Sequence, residues 1–254
     1  MQFFNDTIGI VAKYWKMLLA GLGVTMLIAL AGTIAGLIIG LFTGILRTIP
    51  KQKNAFLRVL QGIMNFIISV YVEVFRGTPM MVQAMVIFWG YAFLAGGNTL
   101  PVIGAGLFIV SINTGAYMAE IVRGGIMSID KGQSEGAHAI GMSHFQTMLF
   151  VVLPQALKNI LPSVANEFIV NIKDTSVLNV IGVAELYYTA YRIQTMNYKI
   201  FQTYLVLSVM YFAMTFTVSR LLRLLEKAMN GKSSYVVLGS QTDPSAEIHV
   251  RGAE

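Results

Sequence analysis

Cysteine is absent from the chain. That excludes disulfides, thiolate metal sites and thiol catalysis. Charge is scarce: Asp, Glu, Lys and Arg make up 12% of the residues, against about 25% in soluble domains. Only three histidines occur, His138, His144 and His249, and they are scattered through polar segments, so no metal centre is expected. There is no HExxH helix and no nucleophile elbow. The 24 glycines form no Walker pattern, so the chain lacks a P-loop for ATP. Internal repeats are missing too, and two-fold symmetry would have to come from a second subunit. No cleavable signal peptide is expected, because the first apolar run is far longer than a signal h-region.

What the chain has is apolar length. Hydrophobic residues make up 56% of it and the mean hydropathy is +0.67. Several uncharged runs approach the roughly 20 residues that span a bilayer core as helix. This predicts an all-α integral membrane protein with about five transmembrane helices. Residues 1–16 read as an amphipathic N-terminal segment. Met17–Leu46 holds thirty residues without a charge, about 45 Å of helix, so it tilts or protrudes. Gly32, Gly36, Gly40 and Gly44 form one smooth face for close helix approach, within the chain or against another subunit.

The net charge of +6 sits mostly in loops that flank apolar runs. It reads as membrane orientation rather than nucleic-acid binding. Arg47, Lys51, Lys53 and Arg58 mark a cytoplasmic loop. Phe56–Ala95 is read as one crossing in two pieces, broken at Arg76-Gly77-Thr78-Pro79. Two crossings there would put Arg123 and Lys131 outside, against the positive-inside bias. Gly96–Thr99 is then external. Leu100–Ala119 is the third span. Asn113, Tyr117 and Glu120 share one face of it, which should point inward. An irregular fourth span with Pro154 and Pro162 runs from about Thr147 to Ala184. Glu185–Lys199 reads as an external loop whose tyrosines suit the interface. Ile200–Ser219 is the fifth span, so the transmembrane domain covers 17–228. From Met229 a polar, disordered cytoplasmic tail is expected. Five crossings put the N-terminus outside and the C-terminus inside.

Gln133–Ala156 is polar, yet it lies between membrane-length segments. Asp130 or Ser134 can cap a short helix there, and Asp130 with Gln133 makes a capping-box pattern. Gly141 supplies a left-handed stop. Ser143 with Gln146 repeats the capping box and starts the next helix. Within this stretch Glu135-Gly136-Ala137, Gly141 and Leu153-Pro154 resemble the EAA loop of permease subunits of ABC importers. Phe75-Arg76-Gly77-Thr78-Pro79, Ala119–Gly125 and Ile172–Ser176 are similar to the polar amino-acid branch, the glutamine, histidine and arginine type. One departure is Gly136, where the family usually has alanine. A mid-helix glycine costs about 1 kcal/mol against alanine.

The resemblance implies a type I ABC importer permease fold in a prokaryotic cell membrane. Residues 130–147 would be a cytoplasmic coupling loop, with Glu135, Gly136, Ala137, Gly141 and Pro154 engaging the ATPase. Two ATPase subunits would bind the ATP and Mg, and this chain would hold no cofactor and catalyse nothing itself. A second permease, identical or homologous, and an extracytoplasmic amino-acid-binding protein complete the implied set. The activity implied is inward movement of a polar L-amino acid by alternating access. The alternative is a stand-alone channel or secondary transporter. Such a protein would need no coupling loop, and secondary transporters usually contain internal repeats.

A zwitterionic amino acid needs an acid for its ammonium and donors for its carboxylate. Asp174 fits the first role, and Thr175 and Ser176, at an expected helix break, fit the second. Asn113 could bond either group, and Gln83, one turn past Pro79, could line the path. Asp174 could instead be structural, paired with a lysine or arginine of another helix. Lys173 is its neighbour but faces another way on a helix. Glu73, Arg76, Glu120 and Arg123 lie nearer the cytoplasmic ends and read as gating or structural ion pairs, with Glu120 and Arg123 at i, i+3.

Overall fold

A computed structural model describes residues 2–230, and all regular structure among them is helical. Helix α1 is Gln2–Leu46, α2 is Ala55–Gly77 and α3 is Met80–Leu94. Helix α4 is Val102–Met127 and α5 is Lys131–Ala139. A short α6, His144–Thr147, passes through a π-helical turn, Met148–Val152, into α7, Leu153–Asp174. A 3-10 segment, Thr175–Ile181, follows, then α8, Leu186–Asn197, and α9, Ile200–Asn230. Five helical runs are long and apolar enough to cross a membrane: α1, α2, α4, the continuous run 144–181, and α9.

The central contact is α1 against α4. The glycine row of α1 meets Val110, Thr114, Met118 and Val122 of α4 in succession. A methyl group on Gly36 would stand 2.7 Å from Thr114 Cβ, and one on Gly44 would stand 2.8 Å from Val122 Cβ. So the smooth face serves packing within the chain. Both sets of numbers rise together, so the two helices run in the same direction. An odd number of passes must therefore separate them, and only α2 and α3 lie between.

Contacts along α4 show how α2 and α3 share that pass. Tyr71 of α2 donates to the Ile112 carbonyl at 2.6 Å, and Ile68 and Val72 join a buried cluster with Ala119. Ala84 and Phe88 of α3 cluster with Ala105 and Ile109. As the chain advances through α2 and α3, its partners on α4 move steadily backward. The two helices therefore run in series, antiparallel to α4, as one broken crossing. The 15 residues of α3 would reach only about 22 Å alone.

The remaining directions follow in the same way. Gly125 packs on Ile160, while Thr114 bonds Asn171, so α7 runs against α4. Asp6 pairs with Lys199, and Glu185 joins Thr25 to Tyr211, so α9 runs with α1. The result is five alternating passes.

Several expectations need correction. The first sixteen residues are not a separate segment, because α1 is unbroken from Gln2. The third span does not stop at Ala119 but continues to Met127, and the fifth continues past Ser219 to Asn230. In both cases the helix persists into the charged residues beyond its apolar stretch, since nothing there breaks it. The fourth run ends at Ile181, short of Ala184, where Gly182 turns left-handed at φ 84°. Glu185–Lys199 is mostly the helix α8, not a loop. Glu185 caps it by accepting from the backbone N–H of Tyr187 and Tyr188, and Leu186, Ala190 and Ile193 pack into the core. The expected tail lies outside the described residues from 231 onward.

Candidate functional site

Helix α5 is an exposed knuckle capped at both ends. Asp130 Oδ1 accepts from the Gly132 N–H at 2.6 Å and caps it. The reciprocal half of the expected capping box is absent, because Gln133 Oε1 instead accepts from Gln155 at 3.3 Å. Ser134 sits inside the helix rather than capping it. At the other end Gly141 has φ 87°. Its N–H donates to His138 O at 3.0 Å, and the Met142 N–H donates to Ala137 O at 3.1 Å. These two bonds make a Schellman stop, which only a left-handed residue at position 141 allows. Ser143 and Gln146 then form a complete capping box for the next helix.

Glu135 and Gly136 are exposed, Ala137 is buried, and Pro154 is exposed at the second position of α7. Ile140 is 80% exposed and Phe145 is 73% exposed. Two large apolar side chains thus follow the polar helix, Ile140 at its C-cap and Phe145 at the start of the run 144–181.

A second polar centre lies where the second pass breaks. Phe75 O would normally accept from residue 79, but Pro79 has no N–H. Gln83 Nε2 takes that role at 2.9 Å and also donates to Thr78 O at 2.9 Å. Asn113 Nδ2 adds a bond to Phe75 O at 3.3 Å and one to Gln83 Oε1 at 2.8 Å. Gln83 and Asn113 are therefore brought together as a brace. Both are buried and engaged, so their amides serve backbone groups freed by the proline.

The third centre follows the inward face of α7. Glu167, Asn171 and Asp174 stand at i, i+4 and i+7. Glu167 and Asn171 are buried. Asn171 Nδ2 donates to Thr33 Oγ1 of α1 at 2.8 Å, and Asn171 Oδ1 accepts from Thr114 of α4 at 3.1 Å. Asp174 is half-buried where α7 tightens into the 3-10 segment. It makes no hydrogen bond or ion pair among the described residues. Thr175 is fully buried, and its hydroxyl donates to Ile172 O at 3.0 Å. That bond lies within its own helical run. Ser176 is half-buried, and its hydroxyl has no hydrogen-bond partner among the described residues.

The charged group nearer the helix ends divides. Glu120 pairs with Arg47 at the end of α1 and with Arg123 at 2.8 Å, which ties α1 to α4. Arg76 lies over the Tyr117 ring at 5.5 Å. Glu73 is exposed and has no partner among the described residues.

Sequence reasoning missed Asn171 and Glu185. The regular spacing of Glu167, Asn171 and Asp174 was the available signal for the first. Glu185 gave none, because its donors come from three elements. Thr25 and Tyr211 donate to its carboxylate at 3.4 and 3.0 Å, besides the two α8 amides. Burial pushes this carboxyl up, and the four donors pull it back.

The family model for binding-protein-dependent transport system inner membrane components matches residues 54–231. The chain belongs to that family. The match begins at Asn54, the N-cap of α2, so it holds α2 to α9 and leaves α1 outside. The glutamine transport system permease protein GlnP of Escherichia coli (strain K12) is 39% identical over 175 residues, covering 68% of this chain and 80% of GlnP. The L-cystine transport system permease protein TcyB of Bacillus subtilis (strain 168) is 38% identical over 168 residues, covering 66% of this chain and 71% of TcyB. A chain from the crystal structure of an amino acid ABC transporter with histidines aligns with TM-score 0.74 and 37% identity, covering 86% of this chain and 96% of that one. An inward-facing MetNI methionine ABC transporter chain aligns with TM-score 0.65 at 20% identity and shares the fold. This protein is an ABC importer permease of the polar amino-acid type, with the type I permease fold.

Proposed function

We propose that this permease passes a polar L-amino acid from an extracytoplasmic binding protein into the cytoplasm. Two ATPase subunits dock on α5 and supply the energy, with ATP and Mg bound to them. The permease works beside a second permease, identical or homologous. Its N-terminus is outside and its C-terminus inside.

The observation that carries this reading is the knuckle at α5. It is capped at both ends, exposed, and followed by Ile140 and Phe145, in a chain with no P-loop of its own. An exposed apolar pair beside a capped polar helix is what a docking element needs. Relatives named for glutamine and cystine support an amino-acid cargo. Within the spans, Asp174 is the acid we assign to the substrate ammonium, with the Ser176 hydroxyl beside it.

The test is reconstitution with a cognate ATPase and binding protein in vesicles. Uptake of labelled amino acid should require ATP, and unlabelled polar amino acids should compete. Gly141→Asp puts a Cβ at φ 87° and should abolish ATPase co-purification and uptake while membrane insertion stays normal. Full co-purification and uptake in that variant would remove α5 as the docking element. ATP-independent uptake would point to the channel reading.

A further inference from the structure

The first three turns of α2 and the loop before them stand apart from the bundle. Residues 55–60 are exposed on every side. Phe56 is 75% exposed and Val59 is 62% exposed, and Leu60 and Ile63 are exposed beside them. Packing of α2 on α4 begins only around Met64 and Ile68. An apolar helix end with no protein against it belongs in a lipid interface.

Three basic residues near the spans are held in ion pairs. Arg47 and Arg123 are paired with Glu120, and Lys199 with Asp6. Lys51, Lys53 and Arg58 are exposed and have no ion pair among the described residues. The loop that carries the two lysines is also held in shape. Gln61 Nε2 donates to Ile49 O at 2.8 Å and to Pro50 O at 3.1 Å, while Gln61 Oε1 accepts from Gln52 N at 3.1 Å. Asn54 caps the helix start at 2.9 Å from Phe56 N. A clamped loop keeps these cations next to the apolar turns.

We propose that residues 51–63 form a binding surface for anionic phospholipid in the membrane leaflet that faces the Arg47–Arg58 loop. The apolar turns enter the acyl region, and Lys51, Lys53 and Arg58 reach up to the phosphates. Long basic side chains place their stems on apolar surface and their charges in the headgroup layer. Apolar insertion and a polybasic edge are the two signals that together hold a segment at an anionic surface. Charge complementarity selects anionic over zwitterionic lipid.

The test uses the full-length permease, purified as its native assembly, in nanodiscs. Gly62 is exposed with open space around it, and the chain has no native cysteine. A bimane on Gly62→Cys therefore reports without background from this chain, and the same assembly without the Gly62→Cys change, labelled in parallel, gives the contribution of the other subunits. Spin-labelled phosphatidylglycerol should quench it at roughly a hundredth of the mole fraction that spin-labelled phosphatidylcholine requires, since each of the three basic residues near an anionic surface gives about fivefold and the factors multiply. Lys51→Gln, Lys53→Gln and Arg58→Gln together should bring the two lipids level while quenching by both persists. Equal quenching in the unsubstituted loop would overturn the proposal, as would a preference that survives the triple change. Quenching by neither lipid would mean that protein covers the segment, and would overturn it too. The readout needs no transport, so it stands or falls apart from the importer reading.

Discussion

Replacing Asp174 by asparagine keeps the shape of the side chain and removes its charge. If the partner of that charge is a substrate ammonium, uptake affinity should fall roughly tenfold to a hundredfold, the worth of a charge-assisted hydrogen bond of about 1.5–3 kcal/mol. No lysine or arginine is left unpaired by the change, since Asp174 has no ion-pair partner among the described residues. Yield and thermal midpoint in detergent should therefore hold. Normal uptake by Asp174→Asn would remove the residue from the site. Gly40 gives a contrasting single-residue case. A Cβ there would collide with Met118 Cβ and with α4 backbone. Gly40→Leu should cost on the order of 1–3 kcal/mol through overpacking and lower the thermal midpoint, whereas Gly23→Ala, with open space, should not. Equal midpoints would mean that α1 and α4 do not depend on this contact.

At the scale of elements, two breaks are maintained by different means. The α2–α3 break rests on the Gln83–Asn113 brace. Gln83→Leu removes the Gln83 donor from the Phe75 and Thr78 carbonyls and takes from the buried Asn113 amide the nearer of its two acceptors, leaving only Phe75 O at 3.3 Å. An unmet buried polar group costs about 1–3 kcal/mol, so solubilised protein should unfold at lower temperature even in the absence of substrate. An unchanged midpoint would argue that the freed groups find water instead. The stop of α5 rests on Gly141, but the middle of α5 is softened by Gly136. Space around Gly136 is open, so Gly136→Ala should stabilise the isolated knuckle by up to about 1 kcal/mol. Amide exchange over residues 131–139 should slow in the variant. Exchange at the parental rate would show that the helix is not limited by glycine.

For the whole molecule, the parallel run of α1 and α4 is the decisive constraint. It requires Asn98 and Ser134 to lie on opposite sides of the membrane. With no native cysteine, Asn98→Cys should react with an impermeant maleimide from outside, and Ser134→Cys only after the cytoplasmic side is opened. Labelling of both from one side would break the five-pass arrangement.

The residues alone determined a good deal. Apolar length fixed the membrane class and the approximate spans, because hydrocarbon tolerates only chains that satisfy their own backbone. Local chemistry fixed the Gly141 stop and the Ser143 capping box, since each involves residues within one or two turns. The break at Pro79 was legible for the same reason. What the sequence could not settle depended on distant partners. Apolar stretch length put the ends of α4 and α9 too early, because a helix continues into charged residues that water can solvate. Helix α8 was read as a loop because its stability comes from Thr25 and Tyr211, contributed by α1 and α9, and from the apolar face it buries. The hydrogen bonds that Gln83, Asn113 and Thr175 make within the chain were equally invisible in the sequence. Whether a polar side chain inside a membrane protein is free or spent is set by what the fold brings within 3 Å or so of it, and only the packed helices decide that.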